Sequence, residues 1–144
     1  MTQPTLTGLH HVTLPVADIQ TSIDWYEAVL RAKRVARLDT HDVTGQRIGV
    51  VLLLPGLTVP VKLALAPESA GVRSYDPVTL SVADVADLER WAAHLDACGA
   101  QHTPITAAHV GSSVTFADPD GTPLRLYYTD PAAGLDDVLA PERR

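Results

Sequence analysis

The chain has 144 residues, 46% of them hydrophobic and 19% charged, and 11 Lys plus Arg set against 17 Asp plus Glu give a formal charge of −6. This length and balance fit one compact domain and exclude gross disorder, while so few cations leave no electrostatic footprint for nucleic acid or an anionic membrane surface. The opening Met-Thr-Gln-Pro has neither the basic nor the apolar part of a leader, and no apolar run reaches spanning length, so a cytoplasmic protein is expected.

The first predicted strand carries the most informative pattern in the chain. Val12-Thr-Leu-Pro-Val-Ala-Asp18 returns 66 residues later as Val78-Thr-Leu-Ser-Val-Ala-Asp84, alike at six of seven positions. Such a repeat is the signature of a duplicated supersecondary unit. Alternation puts Val12, Leu14 and Val16 on one face and His11, Thr13 and Pro15 on the other. Asp18 then starts a helix whose Ile19, Ile23, Tyr26 and Leu30 form one apolar stripe suited to covering the sheet. Strands are expected over 34–38, 47–54 and 59–66, with turns at Thr44-Gly45 and Pro55-Gly56. The first unit therefore reads as βαβββ.

The second unit repeats the order. A strand over 77–82 leads to Asp84 and a helix with Val85, Leu88, Trp91 and Leu95 on one face, closed by Gly99. Trp25 and Trp91 sit at matching helix positions, where packing of helix on sheet is expected. Cys98, the single cysteine, rules out an intrachain disulfide and a cysteine-based zinc site, and a small buried residue is expected there. Strands near 101–105, 112–117 and 123–128 complete the unit, the last two joined by the turn Asp118-Pro-Asp-Gly121, in which Asp118 and Asp120 serve the turn and form no acidic dyad. The expected fold class is α+β: one domain over 1–130 made of two tandem βαβββ units, about 8–66 and 76–129, forming a cupped mixed sheet with helices on its outer face. The link lies near 67–75, and 131–144 is a tail with at most one short helix.

The paired βαβββ repeat, opening with His10-His-Val-Thr-Leu-Pro-Val-Ala-Asp18 and closing with Phe116-Ala-Asp-Pro-Asp-Gly-Thr-Pro-Leu-Arg-Leu-Tyr127, resembles the vicinal oxygen chelate superfamily over roughly residues 8–130. That superfamily includes glyoxalase I, extradiol dioxygenases, and fosfomycin and bleomycin resistance proteins. The resemblance implies metal ligands from the first and fourth strands of each unit: a His or Gln from each first strand and a Glu from one or both fourth strands. Here the first-strand positions hold His11 and Pro77, and the fourth-strand positions hold Lys62 and Arg125. The implied metal site is thus replaced by positive charge, and no metal and no cofactor is expected.

Parity gives an independent check. The apolar residues of these strands alternate with His11, Lys62, Pro77 and Arg125, so the latter four share the face opposite the core, with Thr13, Thr79, Ser81 and Tyr127. Ser113 and Thr115, with Ile48, Val50 and Leu52, are further wall candidates. Arg125 offers a bidentate fork and Lys62 a point charge to an anion. Tyr127, Thr13, Thr79 and Ser81 supply hydroxyls. His11, near two cations, is the candidate general base, and His10 is expected to point to the opposite face in a structural role.

The leading expectation is a protein with a degenerate metal site that binds a small, anionic or carbonyl-bearing molecule in a cavity between sheets, as a homodimer because the family often pairs units between chains. A metal-independent enzyme with His11 as base and Arg125 as anion stabiliser is the alternative. A metal-dependent lyase or dioxygenase with a site rebuilt from His109, or from His41 with Asp42, is the second alternative.

Overall fold

The structure, a computed structural model, describes residues 3–71 and 76–139. The chain divides into two compact units, Met1–Gly71 and Val72–Arg144. In unit 1, β1 (Val12–Val16) leads to α1 (Ile19–Leu30), then come β2 (Lys33–Arg34), a 3-10 turn (Ala36–Leu38), β3 (Thr40–His41), β4 (Arg47–Leu53) and β5 (Val61–Leu65). In unit 2, β6 (Val78–Ser81) leads to α2 (Val85–Ala97), then β7 (Thr106–Ala108), β8 (Gly111–Ala117) and β9 (Pro123–Thr129), followed by a 3-10 turn (Pro131–Ala133) and the one-turn α3 (Asp136–Leu139). Each unit forms its own mixed sheet, ordered β1-β5-β4-β2 with β3 also on β4, and β6-β9-β8-β7. The α+β duplication expected from the sequence is present. The expected link over 67–75 and the tail over 131–144 fall partly outside the described residues.

The two helices start for one reason. Asp18 accepts from the Thr21 backbone N–H at 2.8 Å and Asp84 from that of Asp87 at 2.7 Å, each answering a donor that a helix start leaves orphaned. The bond from the Thr21 backbone holds the Asp18 carboxyl below its usual range. Gly99, at φ 72°, takes the left-handed conformation just after α2, while in unit 1 Arg31 takes it at φ 55° without being glycine. From α1, Ile19, Ile23, Tyr26, Val29 and Leu30 are buried, and α1 packs on β4 and β5. From α2, Leu88 and Leu95 are buried, and α2 packs on β8 and β9. The strands answer with Leu14, Val16, Val50, Leu52, Val61 and Leu63 in unit 1 and Val114, Phe116, Leu124 and Leu126 in unit 2, all buried. Burial of each such side chain is worth about 1.5–3 kcal/mol, so these stripes fix which sheet face meets the helix.

Four expectations are corrected. The strand expected over 34–38 stops at Arg34, because Asp39 turns back and takes Arg34 Nε and Nη2 at 3.1 and 2.9 Å, bending the chain into the 3-10 turn. The strand expected over 101–105 lies at Thr106–Ala108; before it His102 bridges to Phe116 and the Thr103 N–H donates to the Thr115 carbonyl at 2.9 Å, but Pro104, which has no N–H, interrupts the ladder. Val85, at the first turn of α2, is 39% exposed and Trp91 is half-buried, so Leu88 and Leu95 alone form the buried stripe. Cys98 is exposed, because α2 ends just where its position would have turned inward, and its Sγ lies 3.7 Å from His94 Nε2.

Among the described residues no helix is long and apolar enough to cross a membrane.

Candidate functional site

The strand register settles which fourth-strand residues correspond. In unit 1, Thr13 pairs with Lys62 and Lys62 with Val51. In unit 2, Thr79 pairs with Arg125 and Arg125 with Thr115. Lys62 and Arg125 therefore hold the same place in the two sheets, each beside a threonine of the first strand. Their neighbours on the same strands, Val61 and Leu63, Leu124 and Leu126, are buried, while Lys62 and Arg125 are half-buried, so both cations lie on the face turned away from the helix of their own unit.

The next row shows how the copies have diverged. In unit 2 it reads Ser81, Tyr127, Ser113 and Thr106, four hydroxyls in a line across the sheet. In unit 1 the same row reads Pro15, Ala64, Gly49 and Thr40. Unit 1 is stripped there to make room: a Cβ on Gly49 would stand 2.5 Å from Thr40 Oγ1 and 3.2 Å from Lys62 Cε, so the lysine stem lies over the bare backbone of Gly49. Unit 2 presents a hydroxyl-rich face around one guanidinium. Tyr127 is held in it by the Val110 backbone N–H, which donates to the phenol oxygen at 3.0 Å and leaves the phenolic proton to donate elsewhere.

Sequence reasoning missed Asp76. Its Oδ2 lies 3.3 Å from Arg125 Nε and accepts from Thr79 Oγ1 at 3.4 Å. The repeat gave no signal for it, since the residue before Pro77 carries no motif and alternation would turn it away from Pro77. Alternation fails because β6 begins only at Val78, so the chain ahead of it is not bound to strand geometry.

The same reason corrects the reading of His11. β1 begins at Val12, so His11 stands one residue ahead of the strand and is exposed. His10 does not turn to the opposite face: its Nδ1 lies 2.8 Å from His11 Nδ1, and the two rings meet edge to face at 5.1 Å. One imidazole of the pair donates and the other accepts. Thr13, Thr79 and Ser81 are exposed along their strands. Of the residues considered for a rebuilt site, Asp42 is engaged in its own turn, accepting from the Thr44 hydroxyl at 2.5 Å and from the Thr44 and Gln46 backbone N–H groups, which holds its carboxyl below the usual range. Among the described residues, no three His, Cys, Asp or Glu side chains gather as a metal-holding group.

A wide-open depression of about 620 Å³ near the end of α2 is lined by Asp96, Gly99, Ala100, Gln101, His102 and Pro104, and holds none of the candidate catalytic or ligand-binding residues. His102 there is a structural pin. Its Nε2 lies 2.7 Å from Asp96 Oδ1 and its Nδ1 2.7 Å from the Thr103 carbonyl oxygen, so both ring nitrogens donate and the imidazolium is favoured. The Thr103 carbonyl and then the Asp96 carboxylate raise its pKa above 6.5. A raised folded-state pKa means a contribution complete below about 6.5 and lost as pH climbs through the higher folded value. Asp96 is 73% exposed, so the contribution is about 1 kcal/mol or less. Urea titrations of wild type and His102→Gln are expected to differ most near pH 5.5 and to converge toward pH 8.5; a gap that widens with pH would contradict this assignment.

Comparison with known proteins adds the wider frame. The family model described as Glyoxalase/Bleomycin resistance protein/Dioxygenase superfamily matches residues 8–126. No curated protein matches the sequence. A glyoxylase/bleomycin resistance protein/dioxygenase domain from Frankia sp. EAN1pec is similar at 23% identity and TM-score 0.70, covering 88% of this chain and 100% of that one. TnmS3, an antibiotic binding protein from Streptomyces sp. CB03234, is similar at 20% identity and TM-score 0.71, covering 89% and 100%. The fosfomycin resistance protein FosX from Listeria monocytogenes, complexed with Mn(II) and sulfate, is similar at 16% identity and TM-score 0.68, covering 92% and 98%.

Proposed function

The chain belongs to the glyoxalase/bleomycin resistance protein/dioxygenase superfamily, and on that premise we propose that it binds a small, anionic or carbonyl-bearing molecule on its polar sheet faces, at a site that has lost the metal ligands. The observation that carries this reading is the register, which pairs Thr13 with Lys62 and Thr79 with Arg125 and so gives the two cations corresponding places in the two sheets; the resemblance implies carboxylates at those positions. Zinc sites take at least three protein ligands, and the positions concerned hold His11, Pro77, Lys62 and Arg125. A unit charge about 6 Å from a divalent ion adds roughly 5–6 kcal/mol of repulsion at an effective dielectric near 20. Asp76 offsets part of that for Arg125, but a single carboxylate does not rebuild a ligand set. The residues present do not fit the family's metal.

Cations and hydroxyls do fit an organic ligand. Arg125 offers a forked donor, Lys62 a point charge, and Thr13, Thr79, Ser81 and Tyr127 supply hydroxyl contacts. Among the structures similar to this chain, TnmS3 is an antibiotic binding protein, which supports small-molecule binding as the leading reading. The exposure of His11, one residue ahead of β1, favours a second one, a metal-independent enzyme in which His11 is the general base and can be reached by a substrate. In that case His11→Ala removes turnover while leaving ligand affinity within a few fold.

A thermal-shift screen of carboxylates, phosphates and antibiotics is expected to yield a stabilising ligand, and Arg125→Glu to abolish its effect. Unchanged affinity in Arg125→Glu would remove Arg125 from the site.

A further inference from the structure

The two cations of the repeat are not electrostatic equals. Arg125 has Asp76 Oδ2 3.3 Å from its Nε, and none of the ion pairs among the described residues involves Lys62. The Thr79 hydroxyl lies 3.4 Å from the same Oδ2, a long contact that adds a weak donor beside the Asp76 carboxylate. Arg125 Nε is itself buried with no hydrogen-bond acceptor in line, so the contact with Asp76 acts through charge more than through a directed bond. The side chains of Arg125 and Asp76 are 38% and 31% exposed, so both can be reached by a ligand.

We infer that Asp76 is a specificity-determining residue: by neutralising Arg125 it makes the unit 2 face a site for a neutral group that both donates and accepts hydrogen bonds, such as a carboxamide, and disfavours a carboxylate there. This rests on the small-molecule reading above and names the chemistry of its unit 2 half. A ligand carboxylate approaching Arg125 meets the Asp76 carboxylate beside it, a like charge that penalises it. A carboxamide meets complementary partners, its carbonyl oxygen accepting from the guanidinium and its NH2 donating to Asp76. The surrounding groups are neutral in the same sense: Thr79 and Thr115 flank Arg125 in its row, and Ser81, Tyr127 and Ser113 follow in the next. Once a ligand covers these half-exposed groups, pairing each donor with an acceptor discriminates between ligands, because the wrong one leaves a polar group unanswered.

The test uses the full chain and two matched probes, acetate and acetamide, titrated while NMR follows the Arg125 side-chain Nε–H and the Thr79 amide. In wild type, acetamide is expected to bind at least about tenfold more tightly than acetate. Asp76→Asn removes the negative charge at constant shape and is expected to reverse that preference by about tenfold or more, while Asp76→Glu restores it. Asp76→Ser reads the same ratio should Asp76→Asn fail to fold, and an unchanged melting temperature separates selectivity from stability. A wild-type preference for acetate, an acetamide-to-acetate ratio unchanged within about twofold in the charge-removing variants, or no response to either probe in any variant would overturn the inference. Its failure is distinguishable from failure of the broader reading: a ligand lost in Arg125→Glu but indifferent to Asp76 sinks this inference alone, whereas no Arg125-dependent ligand at all sinks the reading on which it rests.

Discussion

Replacing Gly111 with alanine is expected to destabilise the protein by about 3 kcal/mol or more, the upper end of what overpacking costs. Gly111 opens β8 and pairs with Ala108 on one side and Thr129 on the other. A Cβ built there would lie 1.8 Å from the Tyr128 carbonyl oxygen, 2.8 Å from its carbon and 3.0 Å from Thr129 Cα. All three are backbone atoms of β9, so no side chain can swing aside, and the start of β8 must peel away from β9. The effect reaches the candidate site, because the neighbouring Val110 N–H anchors the Tyr127 hydroxyl and the Val110 carbonyl accepts from the Asp130 N–H at 2.8 Å. Urea denaturation and thermal melting read the loss, with a melting point expected to fall by about 10 °C. A change under about 0.5 kcal/mol, the range of an inconsequential surface substitution, would show that this end of the sheet yields more freely than its geometry implies.

Asp118→Ala is expected to cost about 2–4 kcal/mol for a different reason. Asp118 is 5% exposed, and its Oδ1 accepts from the Asp120 and Thr122 backbone N–H groups at 2.9 and 3.0 Å. Main-chain bonds from Gly121 to Asp118 and between Asp118 and Thr122 close the same turn, which joins β8 to β9 and sets the register from Ala117 opposite Pro123 through Thr115 opposite Arg125. Alanine removes both acceptances and leaves N–H groups facing a buried corner. Asp118→Asn keeps one oxygen acceptor without the charge and is expected to cost about half as much. Equal stability of Asp118→Ala and wild type in urea would contradict the assignment of this residue to the turn.

Asp118 was legible in the sequence. The Asp-Pro-Asp-Gly turn could be read because its chemistry is local: the side chain bonds within four residues of itself. The duplicated strand and helix could be read for the same reason, since the apolar period and the capping aspartates are properties of neighbouring residues, and the repeat needs only the two copies to be compared along the chain. The correspondence of Lys62 with Arg125 was also visible, and the register with Thr13 and Thr79 agrees with it.

What escaped depended on where regular structure begins. Alternation assigns faces only inside a strand, so His11 and Pro77, each one residue outside, could not be placed by counting, and Asp76 could not be seen as the partner of Arg125. Gly111 gave no signal because its need for a bare Cα comes from Tyr128, across the sheet. The strand expected over 34–38 failed through a contact at Asp39 that no period encodes. Burial of Cys98 was expected from helix position, but the helix ends at Ala97 and leaves the thiol outside.

The central claim, that cations stand where relatives would place metal-binding carboxylates, is met most directly by metal analysis of the full chain prepared without chelator and dialysed against Mn2+, Ni2+, Fe2+ or Zn2+. The account predicts less than about 0.1 equivalent of any of them after exchange into metal-free buffer, because the first- and fourth-strand positions of the two units hold His11, Pro77, Lys62 and Arg125, too few donors and too much positive charge. One equivalent of a divalent metal, retained by wild type and lost in His11→Ala, would contradict it.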